Sequence, residues 1–160
     1  MKPQKKYLSL HETTTMNSSY FKTAIMSASY FEHDADIGII GRGLTVEQSF
    51  EAAAHAAFAI MADLEALHPV DAVTIDFDEA DVELALVVWL NQIFGKAREL
   101  GMVFSHFYVH RDGEHWHGKI LGEKWREGLE RGVEVKGATL TMLSVKAVGP
   151  IWESRCVVDV

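Results

Sequence analysis

The run Tyr30-Phe31-Glu32-His33-Asp34-Ala35-Asp36-Ile37-Gly38-Ile39-Ile40 decides how we interpret this chain. It places two aspartates and a histidine between apolar residues, and the flanking aromatic and β-branched side chains favour extended structure. Its acidic centre near Ala35-Asp36 interrupts that structure, and Gly41 and Gly43 end it. We therefore expect an extended segment over about residues 30–41 that is broken at its acidic centre.

A second acidic position lies at the other end of the chain. The sequence stops at Val157-Val158-Asp159-Val160, so the Asp159 side chain stands one residue from the main-chain carboxylate. If the first and last strands are neighbours in one sheet, Asp36 and Asp159 converge with that carboxylate. Because like charges that close need a cation or a proton between them, the pattern favours a site for a hard cation.

Composition is typical of a single soluble domain. The 160 residues, 48% of them hydrophobic, are enough to bury one core. No apolar run approaches the roughly 20 residues of a membrane helix, and the polar N-terminal residues do not resemble a signal-peptide core. We therefore expect a cytoplasmic protein. Cys156 is the single cysteine, which excludes an internal disulfide.

The net charge of the chain indicates which kinds of partner it can bind. The formal charge is −8, with 23 acidic and 15 basic residues, and the basic residues are scattered along the chain. Such a surface repels a phosphate backbone. We therefore expect contact with RNA only indirectly, through a basic protein partner, and no contact with a membrane.

The N-terminal residues differ from the rest of the chain. Residues 1–28 have no sustained hydrophobic period and include Thr13-Thr14-Thr15 and Ser18-Ser19. Such a segment buries too little apolar surface to order itself, so we expect a flexible extension over 1–28 and a folded domain over 29–160. Met26 stands just before the periodic part, and translation starting there is a hypothesis that the intact mass of the natively expressed protein tests.

Two helices are predicted from apolar spacing. Thr45 and Gln48 form a capping-box pattern before a helix that reaches about residue 63 and has one buried face. Asp81 is predicted to cap a second helix that runs through Leu100 and is closed by Gly101. This helix is apolar around most of its circumference, and we expect it to be the central helix. Within it, Trp89 and Asn91 are interpreted as a core residue and a local hydrogen-bonding residue.

The other predicted elements are strands. Residues 68–77 alternate apolar and polar side chains, which is typical of a half-buried strand. A long strand candidate over 133–148 changes its apolar phase near residue 142, so a bulge or bend is expected there. The order of strand, helix, strand, helix and then four strands predicts an α+β fold with two helices packed on a mainly antiparallel β-sheet.

Asp112-Gly113 is a strong signal for a two-residue hairpin turn. With these residues in the loop, His110 is predicted to lie opposite His115 and Tyr108 opposite His117. The predicted exposed face carries four histidines, which are His106, His110, His115 and His117. Imidazoles suit zinc, but histidines on an exposed sheet face are more often simply solvated.

Six blocks of the sequence, in the right order, resemble the archease family. Residues 30–39 are similar to its signature, Tyr-x-x-x-[Asp/Glu]-His-Thr-Ala-Asp-[Ile/Val]-Gly-[Ile/Val]. The further similar blocks are residues 44–54, 88–91, 101–105, 134–139 and 158–160. The resemblance covers residues 29–160.

The resemblance implies a non-enzymatic accessory protein. Its partner would be the GTP-dependent RNA ligase that joins 2′,3′-cyclic-phosphate or 3′-phosphate ends to 5′-hydroxyl ends in tRNA splicing and RNA repair. The accessory protein would speed formation of the ligase's guanylylated histidine and its turnover. The resemblance also implies a divalent metal, calcium with magnesium or manganese as alternatives, held by Asp36, Asp159 and the main chain of Val160. Oxygen ligands suit these cations.

The chain departs from the family pattern at several positions. Asp34 stands where the family has threonine. Its added negative charge would tighten metal binding or change the geometry of the site. Thr141 stands where a histidine is common, and residues 123–132 lack a Gly-Glu-Pro start, so the ligase-facing surface departs from the pattern. His33, Asp34 and Lys136 are further candidates for contact with the metal or the partner.

Two other functions stay open. In an enzyme, Asp34, Asp36 and Asp159 would hold a catalytic metal while His33 or the hairpin histidines act on phosphate esters. Hydrolysis of a phosphodiester by the purified protein alone would favour that reading. A general chaperone would instead suppress the aggregation of unrelated proteins without metal.

Overall fold

The computed structural model of this protein describes residues 26–160. The predicted extension therefore lies outside the described residues up to position 25, and the first strand begins at Ser27, ahead of the expected domain start at residue 29. The strands and helices in chain order are β1 (Ser27–His33), β2 (Asp36–Gly43), α1 (Val46–Met61), β3 (Asp71–Asp78), α2 (Val82–Leu100), β4 (Met102–Asp112), β5 (His115–Lys124), β6 (Gly137–Ala138), β7 (Ser144–Val148) and β8 (Ile151–Asp159).

The α+β prediction is confirmed, with the strands divided between two sheets. One sheet has the order β1-β2-β8-β6, with β7 also pairing with β8, and the other has the order β3-β5-β4. Every pairing between these strands is antiparallel. Neither described helix has the length and apolar character needed to cross a membrane.

The central helix is α1, so the expectation that α2 would be central is wrong. Helix α1 contacts β1, β2 and β8 of the first sheet and β4 of the second. Eight of its 16 residues are buried, and five of these are alanines. Alanine lets a helix approach a sheet closely on more than one side. On α2, by contrast, the apolar Leu84 is 41% exposed.

Both helices begin as the capping patterns predict. The Thr45 hydroxyl accepts a hydrogen bond from the Gln48 N–H at 3.1 Å, and the Gln48 side chain accepts one from the Leu44 N–H at 2.9 Å. Asp81 caps α2 by accepting from two N–H groups of its first turn. Gly101 ends α2 with φ 63°, a left-handed conformation that glycine adopts readily.

The predicted break in the first extended segment is a hairpin turn. β1 and β2 are paired from Ser27↔Arg42 to His33↔Asp36, and Asp34-Ala35 makes the turn between them. Asp34 has φ 51°, a conformation that aspartate tolerates better than most residues. The acidic run therefore forms the tip of the hairpin at one end of the first sheet.

The register predicted for the second hairpin is wrong by two residues. The observed pairs are Asp112↔His115, His110↔His117 and Tyr108↔Lys119. The loop residues are Gly113 and Glu114, and Gly113 has φ 61°. Glycine at the first loop position suits a type II′ turn, whereas the prediction assumed a type I′ turn centred on Asp112-Gly113. Because the shift is by two residues, each side chain keeps its predicted face.

The long strand predicted over residues 133–148 is two short strands. β6 and β7 both pair with β8, but the six steps from Ala138 to Ser144 face only three steps on β8, from Val158 to Arg155. The excess residues form a turn in which Met142 has φ 54°. The predicted bend is thus confirmed, and the continuous strand is not.

Candidate metal centre

The two ends of the described fold meet in the first sheet, as the sequence predicted. β2 and β8 are antiparallel neighbours, and their last pair at this end is Ile37↔Val158. The next position in the same register places Asp36, where β2 begins, opposite Asp159, where β8 ends. Directly opposed residues point to one face with Cβ atoms about 5 Å apart. The two carboxylates therefore share one face at the end of the sheet.

The main chain of Val160 also reaches this point. Its N–H donates a hydrogen bond to Asp36 Oδ1 at 3.4 Å, across 124 positions of sequence. On the other side of β8, the Lys136 N–H donates to the Asp159 carbonyl at 2.8 Å. The structure thus brings Asp36, Asp159 and Val160 together and places Lys136 beside them, with the Lys136 residue exposed.

His33 and Asp34 lie at the neighbouring hairpin tip. His33 pairs with Asp36 across the turn. The Asp34 side chain is 94% exposed, and its Oδ2 atom lies 3.8 Å from His33 Nδ1. Asp34 therefore adds negative charge close to the site while its carboxylate faces solvent.

The donor set at the sheet end fits a hard cation. Among residues 26–160, no three His, Cys, Asp or Glu side chains are arranged to hold a metal ion. The set predicted here consists of two carboxylates and a main-chain group, all of them oxygen donors. Oxygen donors are what Ca²⁺, Mg²⁺ and Mn²⁺ prefer, and these cations complete their shells with water. A cation here would also offset the repulsion between two neighbouring carboxylates.

Sequence reasoning did not predict how this region is supported. Asn91 was assigned to local hydrogen bonding, but its side chain contacts Ala138, 47 positions away. Nothing in the local pattern of α2 indicates that partner, because the contact depends on how α2 lies against β6. The available signal was an asparagine in the middle of a helix that is apolar around most of its circumference.

A second polar cluster lies on the outer face of the other sheet. His115 Nδ1 lies 3.0 Å from Asp78 Oδ1 and its Nε2 lies 3.2 Å from Asp76 Oδ1, while His117 Nδ1 lies 2.7 Å from the same Asp76 oxygen. Hydrogen bonding to Asp78, and to a smaller extent hydrogen bonding to Asp76, raises the pKa of His115. The hydrogen bond from His117 is the largest cause lowering the pKa of Asp76. The exposed histidine face was predicted, but its aspartate partners on β3 were not.

Comparison with known proteins agrees with the resemblance. Residues 29–160 match the model of the Archease protein family (MTH1598/TM1083). A protein archease from Sulfurisphaera tokodaii is 33% identical over 134 residues, which cover 82% of this chain and 96% of that protein. A protein archease from Methanothermobacter thermautotrophicus is 29% identical over 134 residues, with 81% and 96% covered.

A solved structure shares the fold. The solution structure of Methanobacterium thermoautotrophicum protein 1598 superposes with a TM-score of 0.71 and 25% sequence identity, covering 83% of this chain and 98% of that one. The family match spans the hairpin tip and the last strand, which form the site, as well as both helices. The chain therefore belongs to the archease family.

Proposed function

We propose that this protein binds a divalent cation at the end of its first sheet and, in that form, activates a GTP-dependent RNA ligase. Family membership supports the broader role, an accessory protein of an RNA-processing ligase rather than an enzyme. The activating step would be formation of the ligase's guanylylated histidine and the subsequent turnover, in tRNA splicing or RNA repair. RNA would be contacted through the ligase, since the chain carries a formal charge of −8.

One observation carries the metal part of the proposal. The register of β2 and β8, continued one position beyond the Ile37↔Val158 pair, sets Asp36 opposite Asp159, and the Val160 N–H donates a hydrogen bond to Asp36 Oδ1. The two carboxylates and the main-chain oxygen of Val160 would hold the ion, calcium in the first instance. The bound ion would supply a positive centre for phosphate oxygens. The chain's own residues orient that centre through the sheet hydrogen bonds on both sides of β8.

The acidic surface supports a basic protein partner. Complementary charge speeds diffusional encounter and disfavours wrong partners. Asp34, whose side chain is 94% exposed at the hairpin tip, and the exposed Lys136 flank the site and would contact the metal's water or the ligase.

The test mixes the protein with its cognate ligase, GTP and Mn²⁺ and measures guanylylation of the ligase over time. We expect the wild type to accelerate guanylylation, and we expect Asp36→Asn and Asp159→Asn to reduce that acceleration by about ten-fold or more. Asp71→Asn is the matched control. Asp71 is an exposed acid on β3 of the other sheet, and its substitution by asparagine removes the same charge. No acceleration by the wild type, or equal acceleration by Asp36→Asn, would contradict the proposal.

The two alternative functions, an enzyme and a general chaperone, are each tested with the same purified protein. Metal-dependent hydrolysis of a phosphodiester by this protein alone would identify an enzyme. Metal-independent suppression of the aggregation of unrelated proteins would identify a general chaperone. Either result without ligase activation would overturn the accessory function.

A further inference from the structure

Helix α2 holds the main-chain segment that borders the candidate metal site. The Asn91 side chain forms two hydrogen bonds with one residue: its Oδ1 accepts from the Ala138 N–H at 2.8 Å, and its Nδ2 donates to the Ala138 carbonyl at 3.3 Å. Arg98 donates from Nη1 to the Lys136 carbonyl at 2.7 Å. Asn91 and Arg98 are seven positions apart, which is two helical turns, so they lie on the same face of α2.

The segment between these anchors lies close to the helix. A Cβ atom built on Gly137 would be 3.3 Å from Asn91 Oδ1, closer than such contacts normally come. Glycine at this position therefore allows the main chain to approach the asparagine side chain.

The same segment is the outer neighbour of the end of β8. Gly137 pairs with Asp159 and Ala138 with Val158. The Lys136 N–H donates to the Asp159 carbonyl at 2.8 Å. Val158 is thus paired on both sides, with β2 and with the α2-anchored segment, and Asp159 is paired with that segment.

We infer that Asn91, assisted by Arg98, is a positioning residue for the metal site: it fixes segment 136–138 against α2 so that Asp159 and Val160 are held in the geometry that binds the ion. Residues at the end of a strand lose order unless hydrogen bonds hold them, and groups that orient metal ligands through outer-shell hydrogen bonds typically change affinity about 10- to 100-fold when removed. This inference rests on the proposed function, because it concerns the same ion.

The test measures binding of Ca²⁺ by isothermal titration calorimetry and the luminescence lifetime of Tb³⁺, which counts the water molecules on the bound ion. For Asn91→Ala we expect about ten-fold weaker Ca²⁺ binding and more Tb³⁺-bound water. Arg98→Met should change both in the same direction. Gln92→Ala is the matched control: Gln92 is the exposed neighbour of Asn91 on α2.

Measurements without metal distinguish a positioning role of Asn91 from a role in overall stability. Asn91 is exposed, so the thermal midpoint and circular dichroism of metal-free Asn91→Ala should match those of Gln92→Ala. Amide hydrogen exchange of residues 158–160 should be faster than in the wild type for Asn91→Ala, but not for Gln92→Ala. Ca²⁺ binding by the wild type with equal affinity in Asn91→Ala would overturn the positioning role and leave the metal site standing. Absence of Ca²⁺ binding by the wild type would overturn both.

Discussion

Gly41 shows why single residues decide how closely the central helix packs. A Cβ atom at this position of β2 would lie 2.3 Å from the Ala53 nitrogen and 2.3 Å from the Ser49 carbonyl oxygen, both backbone atoms of α1. Backbone atoms of a packed helix cannot move aside as a flexible side chain can. The glycine is therefore required by the close approach of α1 to the first sheet.

We predict opposite effects of the same substitution at two glycines. Gly41→Ala should lower the free energy of unfolding by about 1–3 kcal/mol, because it overpacks the contact with α1. Gly95→Ala should raise it by about 0.5–1 kcal/mol, because Gly95 lies inside α2 with nothing within 4 Å of its Cβ position. Urea denaturation of both variants measures these changes. A stabilising Gly41→Ala would contradict the packing described here.

We also predict that Cys156 is unreactive in the folded protein. Its side chain is fully buried in β8, and burial raises the pKa of the thiol to about 12. Because the thiolate is the nucleophile, alkylation by iodoacetamide at pH 8 should be slow in buffer and fast in denaturant. The measurement is the mass of the labelled protein over time. Equal rates in the two conditions would show that the strand opens readily.

At the scale of elements, pairs of strands create polar contacts that neither strand contains alone. β3 pairs with β5 so that Asp78 lies opposite His115 and Asp76 opposite His117. Both ring nitrogens of His115 then face carboxylates, an arrangement that favours the doubly protonated imidazolium. The cluster joins β3 to the hairpin on the outer face of the second sheet.

This cluster predicts how stability depends on pH. The pKa of His115 is raised in the folded state. Its contribution to the free energy of unfolding is therefore fully present below the unfolded-state pKa and is lost as pH rises through the folded-state pKa. Asp76, with a lowered pKa, contributes above its unfolded pKa and loses that contribution as pH falls through its folded pKa.

The measurement is titration of the histidine ring signals by NMR. Asp78→Asn should lower the pKa of His115, because the Asp78 hydrogen bond is the largest cause of its shift. Asp71→Asn, on the same strand but opposite Gly122, should leave it unchanged. A pKa of His115 that does not respond to Asp78→Asn would show that the contact is absent in solution.

At the scale of the whole molecule, the proposed cation would join elements that are far apart in sequence. β2 is the second strand of the described fold and β8 is the last, and α1 packs against both. A cation held by both strands binds the folded state and not the unfolded chain. Binding of this kind adds to stability according to the ligand concentration.

We therefore predict that Ca²⁺ raises the thermal midpoint. At a concentration one hundred times Kd, the added stability is about 2.7 kcal/mol, which corresponds to a shift of several degrees for a domain of this size. A chelator should reverse the shift. Asp36→Asn should abolish it, whereas Asp71→Asn should retain it. An equal shift in Asp36→Asn would place the ion elsewhere on the protein.

The sequence by itself determined the parts of this protein that depend on near neighbours. The caps at Thr45 and Asp81, the end of α2 at Gly101 and the alternation of the β5 side chains follow from local hydrogen bonding and from the periods of helix and strand. The block order that resembles the archease family was also available from the sequence. These features need no knowledge of which elements contact each other.

Only the tertiary structure decided the rest. The loop of the second hairpin, the division into two sheets and the central place of α1 depend on packing between distant residues. The meeting of Asp36 with the end of β8 was expected, but its support by Asn91 was not. An asparagine on a helix can hydrogen-bond to many partners, and the one it takes is selected when α2 packs beside β6.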